Sequence, residues 1–217
     1  EGHRRVGVLY PRTEDFRRLA LAFTEALRNA GGQVAADVGY DPAMTTFARP
    51  IERLRLAGAD AVYAPASERI IRQLAPQFEY YGLADVTILG SDAWTSEEVL
   101  RSVPPRVLEG TVATTPLPRG NPAVAWDEFV GLYEAAQRRT LDTPYPALGY
   151  DAMRLVLEAL GDGRSAQPGD VARALAETRE FRGATGILSL EGGIVTRKPF
   201  LVRIEAGRLM AIPEGGI

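Results

Sequence analysis

Short apolar runs of about five residues recur through the first 115 positions, and each is followed by a stretch with helical spacing of apolar residues. This alternation constrains the fold more than any other feature. Strands joined through helices run parallel, and a parallel sheet is covered on both faces. Residues 6–10 (Val-Gly-Val-Leu-Tyr) stop at Pro11 and read as the first buried strand. Thr13 is placed to cap the next helix, with Glu14 and Asp15 in its first turn. Phe16, Leu19, Ala20, Phe23, Ala26 and Leu27 then form one apolar helical face that Gly31-Gly32 closes.

The pattern repeats. Residues 34–38 predict a second strand, Asp41-Pro42 a turn, and Phe47, Ile51 and Leu54 a helix closed by Gly58. Residues 61–64 predict a third strand, and Ser67 caps a helix carrying Ile70, Ile71, Leu74 and Phe78. Pro76 lies inside that helix and predicts a kink or an early break. Residues 86–89 and 110–114 are the fourth and fifth strands, with Gly90-Ser91-Asp92-Ala93-Trp94 and a short helix at 96–100 between them.

Residues 116–122 hold three prolines and read as a linker. Helices follow at 123–138, 147–160 and 170–178, then strand-like runs at 186–190, 200–204 and 208–212, the last two forming a hairpin across Glu205-Ala206-Gly207. The segment 123–178 has no sheet of its own to cover Trp126, Phe129, Tyr133, Met153, Leu157, Val171 and Leu175. Its helices therefore pack on one another, or bury this face in a second copy or a separate chain, so self-association through residues 123–178 stays open. The fold class is α/β. A three-layer αβα lobe with a parallel sheet spans 1–115 and 195–217, and 116–194 form a hinge and the incomplete, helical remainder of another lobe.

Composition removes most chemistries. The chain has no cysteine, one histidine (His3) and one lysine (Lys198), so thiol nucleophiles, zinc-thiolate sites, a Ser-His-Asp triad and a Walker lysine find no support. No catalytic residue, metal ligand set or cofactor motif is predicted. A net charge of −3 argues against a nucleic-acid partner. No apolar run is long enough to span a membrane and no leader is visible; the chain opens directly into a strand, as a mature or trimmed chain would.

In an open parallel sheet, ligands bind beyond the carboxyl ends of the strands. The loops 10–15, 39–42, 64–67 and 90–95 share that edge and carry Tyr10, Arg12, Thr13, Asp41, Ser67, Ser91, Asp92 and Trp94. Hydroxyls, carboxylates and aromatics without a nucleophile-base pair suit recognition of a small polar ligand rather than bond breaking. Taken singly, each of these residues is also what a solvated loop or helix cap would use. Asp92 with Glu97 and Glu98 reads as charge favouring a helix N-terminus, not as an acid-base pair.

Several segments resemble type 1 periplasmic binding proteins of the leucine-binding-protein-like group. Val8-Leu9-Tyr10-Pro11, Glu14-Asp15-Phe16 and Phe23 ahead of Gly31-Gly32 are similar to the opening of that family's second lobe. So are Tyr40-Asp41-Pro42 with Phe47 and Ile51, and Ala59-Asp60-Ala61-Val62-Tyr63. Gly149-Tyr150-Asp151-Ala152 resembles a first-lobe helix, residues 181–186 with Leu188 and Leu190 the return segment, and residues 199–210 the closing hairpin. The resemblance implies non-enzymatic, extracytoplasmic binding of a small, amino-acid-like ligand in a two-lobe cleft that closes about a hinge, with a transporter as partner. The implied wall is Tyr10, Thr13, Phe16, Tyr63, Ser67, Asp92 and Trp94, with Asp92 accepting an ammonium and Trp94 covering it. Two departures accompany it. Phe16 stands where the family usually has a tyrosine, and the family's comparable first half, which would supply the other wall, is missing ahead of Glu1. The run from Pro76 to Trp94 is similar to the penicillin-binding-protein activator lipoproteins. That similarity implies an alternative, an outer-membrane-anchored regulator touching a peptidoglycan synthase; it predicts an exposed apolar or arginine-rich patch, for which Arg4, Arg5, Arg12, Arg17 and Arg18, close in sequence, are candidates, though such a run also suits a solvated charged face.

Overall fold

In the computed structural model each apolar run of the first 115 residues becomes a strand; residue 3 and residues 5–115, 125–141, 143, 145–161, 167–197 and 200–212 are described. In chain order the elements are β1 (Arg5–Pro11), α1 (Glu14–Asn29), β2 (Gln33–Tyr40), α2 (Ala48–Leu56), β3 (Ala61–Tyr63), α3 (Glu68–Tyr80) and β4 (Thr87–Gly90). A 3-10 turn (Asp92–Thr95), α4 (Glu97–Ser102), α5 (Pro105–Leu108) and β5 (Val112–Thr115) follow. Then come α6 (Trp126–Gln137), α7 (Tyr145–Leu160), α8 (Pro168–Ala176), β6 (Phe181–Gly183), β7 (Gly186–Glu191), β8 (Ile194–Arg197), β9 (Phe200–Glu205) and β10 (Arg208–Ala211). The chain divides into two compact units, Glu1–Thr115 with Leu201–Ile217, and Pro116–Phe200.

The first unit holds a seven-stranded sheet in the order β10-β9-β5-β4-β3-β1-β2. Strands β1 to β5 pair in parallel and the β9–β10 hairpin is antiparallel. Strand alternation sorts the layers. Val62 points into a core with Ile51 and Leu54 of α2 and Ile71 and Leu74 of α3. Its neighbour Tyr63 points the other way, onto α1, where its ring stacks on Phe23 at 4.1 Å and 14°. The helical face of α1 needs correction at its flank. Ala20 and Thr24 are buried, whereas Leu19 is 43% exposed and Ala26 is exposed, because the stripe against the sheet centres on positions 16, 20, 23 and 27.

Pro76 does not break α3, which continues to Tyr80. Leu74, Ala75 and Phe78 bury themselves on either side of it, and Gln77 ties the helix to the segment ahead of α2. The Gln77 side-chain amide donates to the carbonyls of Gln73 and Thr45, each at 2.9 Å, while its oxygen accepts from the Phe47 N–H at 2.8 Å. The caps also differ from expectation. Thr13 and Ser67 occupy the N-cap positions, but neither hydroxyl bonds the helix; Ser96 does, accepting from Val99 N–H at 3.3 Å.

One residue of this core carries a polar group with nothing to bond. Tyr40 is 1% exposed, its ring edge-on to Phe47 at 5.1 Å, and its hydroxyl has no hydrogen-bond partner among the described residues. Burial pushes its phenol well above the ordinary value. An unfolded tyrosine ionises near pH ~10 while the folded one stays protonated, so stability is flat below that pH and falls as pH rises above it. Tyr40→Phe is expected to be neutral or to stabilise by up to ~1 kcal/mol, and to flatten the alkaline loss. Urea unfolding of both proteins at neutral and strongly alkaline pH checks this.

The second unit is not purely helical. It contains a three-stranded antiparallel sheet, β6-β7-β8, in which Phe181 pairs with Leu188 and Leu188 in turn with Arg197. The Gly183–Gly186 turn is too tight, and β8 too exposed along its length, for either flanking strand to show as an apolar run. Trp126, Phe129, Leu141, Ala147 and Ala184 form one small core, with Tyr133 and Tyr150 packed against it; Leu155, Phe181 and Leu188 form another, with Leu175. Internal packing thus covers Trp126 and Phe129 and partly covers Tyr133, Val171 and Leu175, whereas Met153 and Leu157 remain 59% and 58% exposed.

Asp151 joins α7 to the β6–β7 turn. Its carboxylate is buried and accepts from Ala184 N–H (2.7 Å), Thr185 N–H (2.8 Å) and the Thr185 hydroxyl (2.6 Å). Gly183 permits this approach, since a Cβ there would lie 2.5 Å from Asp151 Oδ2. The proline-rich segment 116–122 and Arg4 lie outside the described residues.

Candidate functional site

The loops that leave the carboxyl ends of β1, β3 and β4 are held by the sheet itself. Ala64 N–H donates to Leu89 O at 2.9 Å, and the Trp94 indole N–H donates to Ala64 O at 2.7 Å, so the exits of β3 and β4 are tied together. At the β1 exit Tyr10 is half-buried, with Asp37 of β2 nearby. Burial, then the Asp37 charge, push the Tyr10 phenol up, opposed by the nearby Arg17 and Arg12 cations. Tyr10, Arg12, Thr13, Glu14 and Arg17 line an open depression of about 520 Å³.

At the β3 exit Tyr63 is half-buried between Phe23 and the charge of Asp92. Burial raises its phenol first and the Asp92 carboxylate raises it further, which makes the two residues electrostatic neighbours. Asp92 itself is exposed at the head of the 3-10 turn. Ser67 is half-buried with its hydroxyl unused by the helix it precedes. Phe16 is half-buried in the first turn of α1. Asp41 serves its own turn, accepting from Ala43 N–H at 2.8 Å.

Trp94 is placed differently from the expectation that it covers a ligand. It is wholly buried, and a Cβ on Gly90 would come within 2.6 Å of its ring. A large aromatic that finds a partner for its N–H inside the protein gains more from core packing than from lining an open edge. Trp94 is thus a strut behind the wall, and the exposed or half-buried residues at the edge are Tyr10, Thr13, Phe16, Tyr63, Ser67 and Asp92.

Sequence reasoning missed Asp37 and Phe23 as supports of Tyr10 and Tyr63. A carboxylate in mid-strand was the available signal for Asp37; for Phe23 there was none, because an aromatic at helical spacing reads as core. Of the arginines expected to form a contact patch, two of the described ones have partners of their own and two share a depression. Arg5 donates to Ala57 O at 2.6 Å and Gly58 O at 3.2 Å, Arg18 pairs with Glu14, and Arg12 and Arg17 line the depression at Tyr10. Among the described residues no group of three or more histidines, cysteines, aspartates or glutamates could hold a metal ion, and no helix is long and apolar enough to cross a membrane.

The family model described as periplasmic binding protein matches residues 1–208. The Leu/Ile/Val-binding protein homolog 1 of Brucella suis is 29% identical over 192 residues, which are 86% of this chain and 49% of that protein. The chain therefore spans about half the length of the curated relative it matches. A crystal structure from Rhodospirillum rubrum, assigned to branched-chain amino acid ABC transport, is 25% identical, with a TM-score of 0.86 over 97% of this chain and 61% of that one. The leucine-binding protein of Thermotoga maritima is 24% identical, with a TM-score of 0.74 over 97% of this chain and 60% of its own, and shares the fold.

Proposed function

Because the chain belongs to the periplasmic binding protein family, whose setting is extracytoplasmic, we propose that it binds a small, amino-acid-like ligand at the carboxyl edge of the first unit's sheet, without chemical conversion. The observation that carries this reading is Asp92 standing beside Tyr63 at that edge, an exposed carboxylate next to a phenol, which suits a ligand ammonium. Thr13, Ser67 and Tyr10 supply neutral polar groups around it, and Phe16 supplies an apolar ring in place of a hydroxyl. The proposed wall is Tyr10, Thr13, Phe16, Tyr63, Ser67 and Asp92, with Trp94 bracing it from the core. The names of the relatives support branched-chain amino acids as the ligand class and delivery to an ABC transporter as the role. The residue run that resembled synthase activators is accounted for by packing, since Phe78, Ile88 and Trp94 are core.

A thermal-shift screen with aliphatic and polar amino acids, amino-acid amides and peptidoglycan fragments tests the reading. Ligand at 100 times its dissociation constant adds ~2.7 kcal/mol, a shift of several degrees. An amino acid that raises the melting temperature supports the proposal. A shift with peptidoglycan fragments alone, or with none of these compounds, overturns it.

A further inference from the structure

We infer that Phe23, in the middle of α1, is a positioning residue for the ligand edge: through the ring stacked on it, it sets where the Tyr63 hydroxyl stands relative to Asp92, and so how well that end of the wall tells an ammonium-bearing ligand from one without it, which rests on the edge being the ligand wall proposed above. The geometry is a face-to-face ring pair. The two centroids are 4.1 Å apart with 14° between the planes. Rings so close and so nearly parallel constrain each other, and a change of χ1 at Tyr63 breaks the stack. Burial and the Asp92 charge are what act on the Tyr63 phenol, and no side-chain hydrogen bond is among them. The stack, rather than a hydrogen bond, therefore fixes the ring.

The turn that carries Asp92 is held separately, because the Trp94 indole N–H donates to Ala64 O at 2.7 Å. Phe23 holds the other member of the pair. Tyr63 ends β3 and Phe23 belongs to α1, so the stack joins strand to helix. Phe16 lies on the same face of α1, two turns earlier, at the edge itself. One helix thus supplies an apolar part of the wall directly, through Phe16, and a polar part indirectly, through Tyr63.

Phe23→Leu keeps an apolar side chain but removes the ring, and the Tyr63 ring then settles towards α1 and away from Asp92. NMR titration of the Tyr63 phenol, in protein labelled at tyrosine Cζ and assigned through the signal missing from Tyr63→Phe, follows that position. In the wild-type background Asp92→Asn is expected to move the titration down. In the Phe23→Leu background that move shrinks about twofold or more. Phe23→Tyr, which keeps a ring in the stack, keeps the full move. Phe23→Met, closer in volume, carries the test if the leucine variant does not fold. L-Leucine and 4-methylpentanoate, which is leucine without its ammonium, supply the ligand arm. Calorimetry is expected to show the preference for leucine reduced about threefold to tenfold in Phe23→Leu, the worth of one stacked pair. A lowered melting temperature with the Asp92→Asn move and the leucine preference both unchanged means that Phe23 only packs, and overturns the inference. Loss of the move in Phe23→Tyr also overturns it, because the ring is then not what counts. A wild type that binds neither compound, or both equally, goes against the ligand reading of the edge, while the titrations still decide the role of Phe23.

Discussion

Asp151→Ala is expected to remove several kcal/mol from the stability of the second unit, because each buried donor left without its acceptor costs ~1–3 kcal/mol. Two backbone N–H groups and one hydroxyl converge on that carboxylate, and Ala184 and Thr185, which supply them, are wholly buried. With the carboxylate gone these donors have no other acceptor among the described residues, so each bears a desolvation cost. Asp151→Asn is expected to fall between the two, because one of its amide ends is a donor pointed at donors. Gly183→Ala approaches the same loss by another route, since its Cβ would press within 2.5 Å of Oδ2. Denaturant unfolding followed through Trp126, which packs in the same small core as Ala184, reads the effect. A drop below ~1 kcal/mol would mean that the three hydrogen bonds contribute no more than surface contacts.

That carboxylate marks where the sequence stopped being readable. Residues 149–152 were recognisable as a helical segment, but a mid-helix aspartate looks solvated until its partners are known, and these lie more than thirty positions away. The parallel sheet was legible because β1, β3 and β4 are short apolar runs between turn residues, as burial on both faces demands, and β2, interrupted by Asp37, and β5 repeat their spacing. β6 and β8 were not, because β6 has three residues and β8 is largely exposed, so neither carries a periodic signal. The edge of the sheet was found from topology alone: Tyr63 and Asp92 are 29 positions apart in the chain and come within electrostatic reach because β3 and β4 are neighbours. Trp94 was misplaced because a sequence gives a tryptophan after a strand no means of showing which way it turns. The glycine four residues before it, whose missing side chain admits the ring, explains the inward turn only in three dimensions.

The second large effect concerns Asp92. Its carboxylate is exposed, so Asp92→Asn is expected to leave the melting temperature of the free protein nearly unchanged. Within a bound complex the same group would be desolvated against an ammonium, and losing one member of such a pair costs ~2 kcal/mol or more, about thirtyfold in affinity. Removing the charge is also expected to ease the Tyr63 phenol downward, because Asp92 is one of the two causes that raise it. Parallel calorimetric titrations of the wild type and Asp92→Asn, with the amino acid that gives the largest thermal shift, test the account most directly. The account predicts saturable one-to-one binding to the wild type and an affinity about thirtyfold weaker in the variant. Equal dissociation constants for the two proteins, or no titratable heat from the wild type with any amino acid, would contradict it.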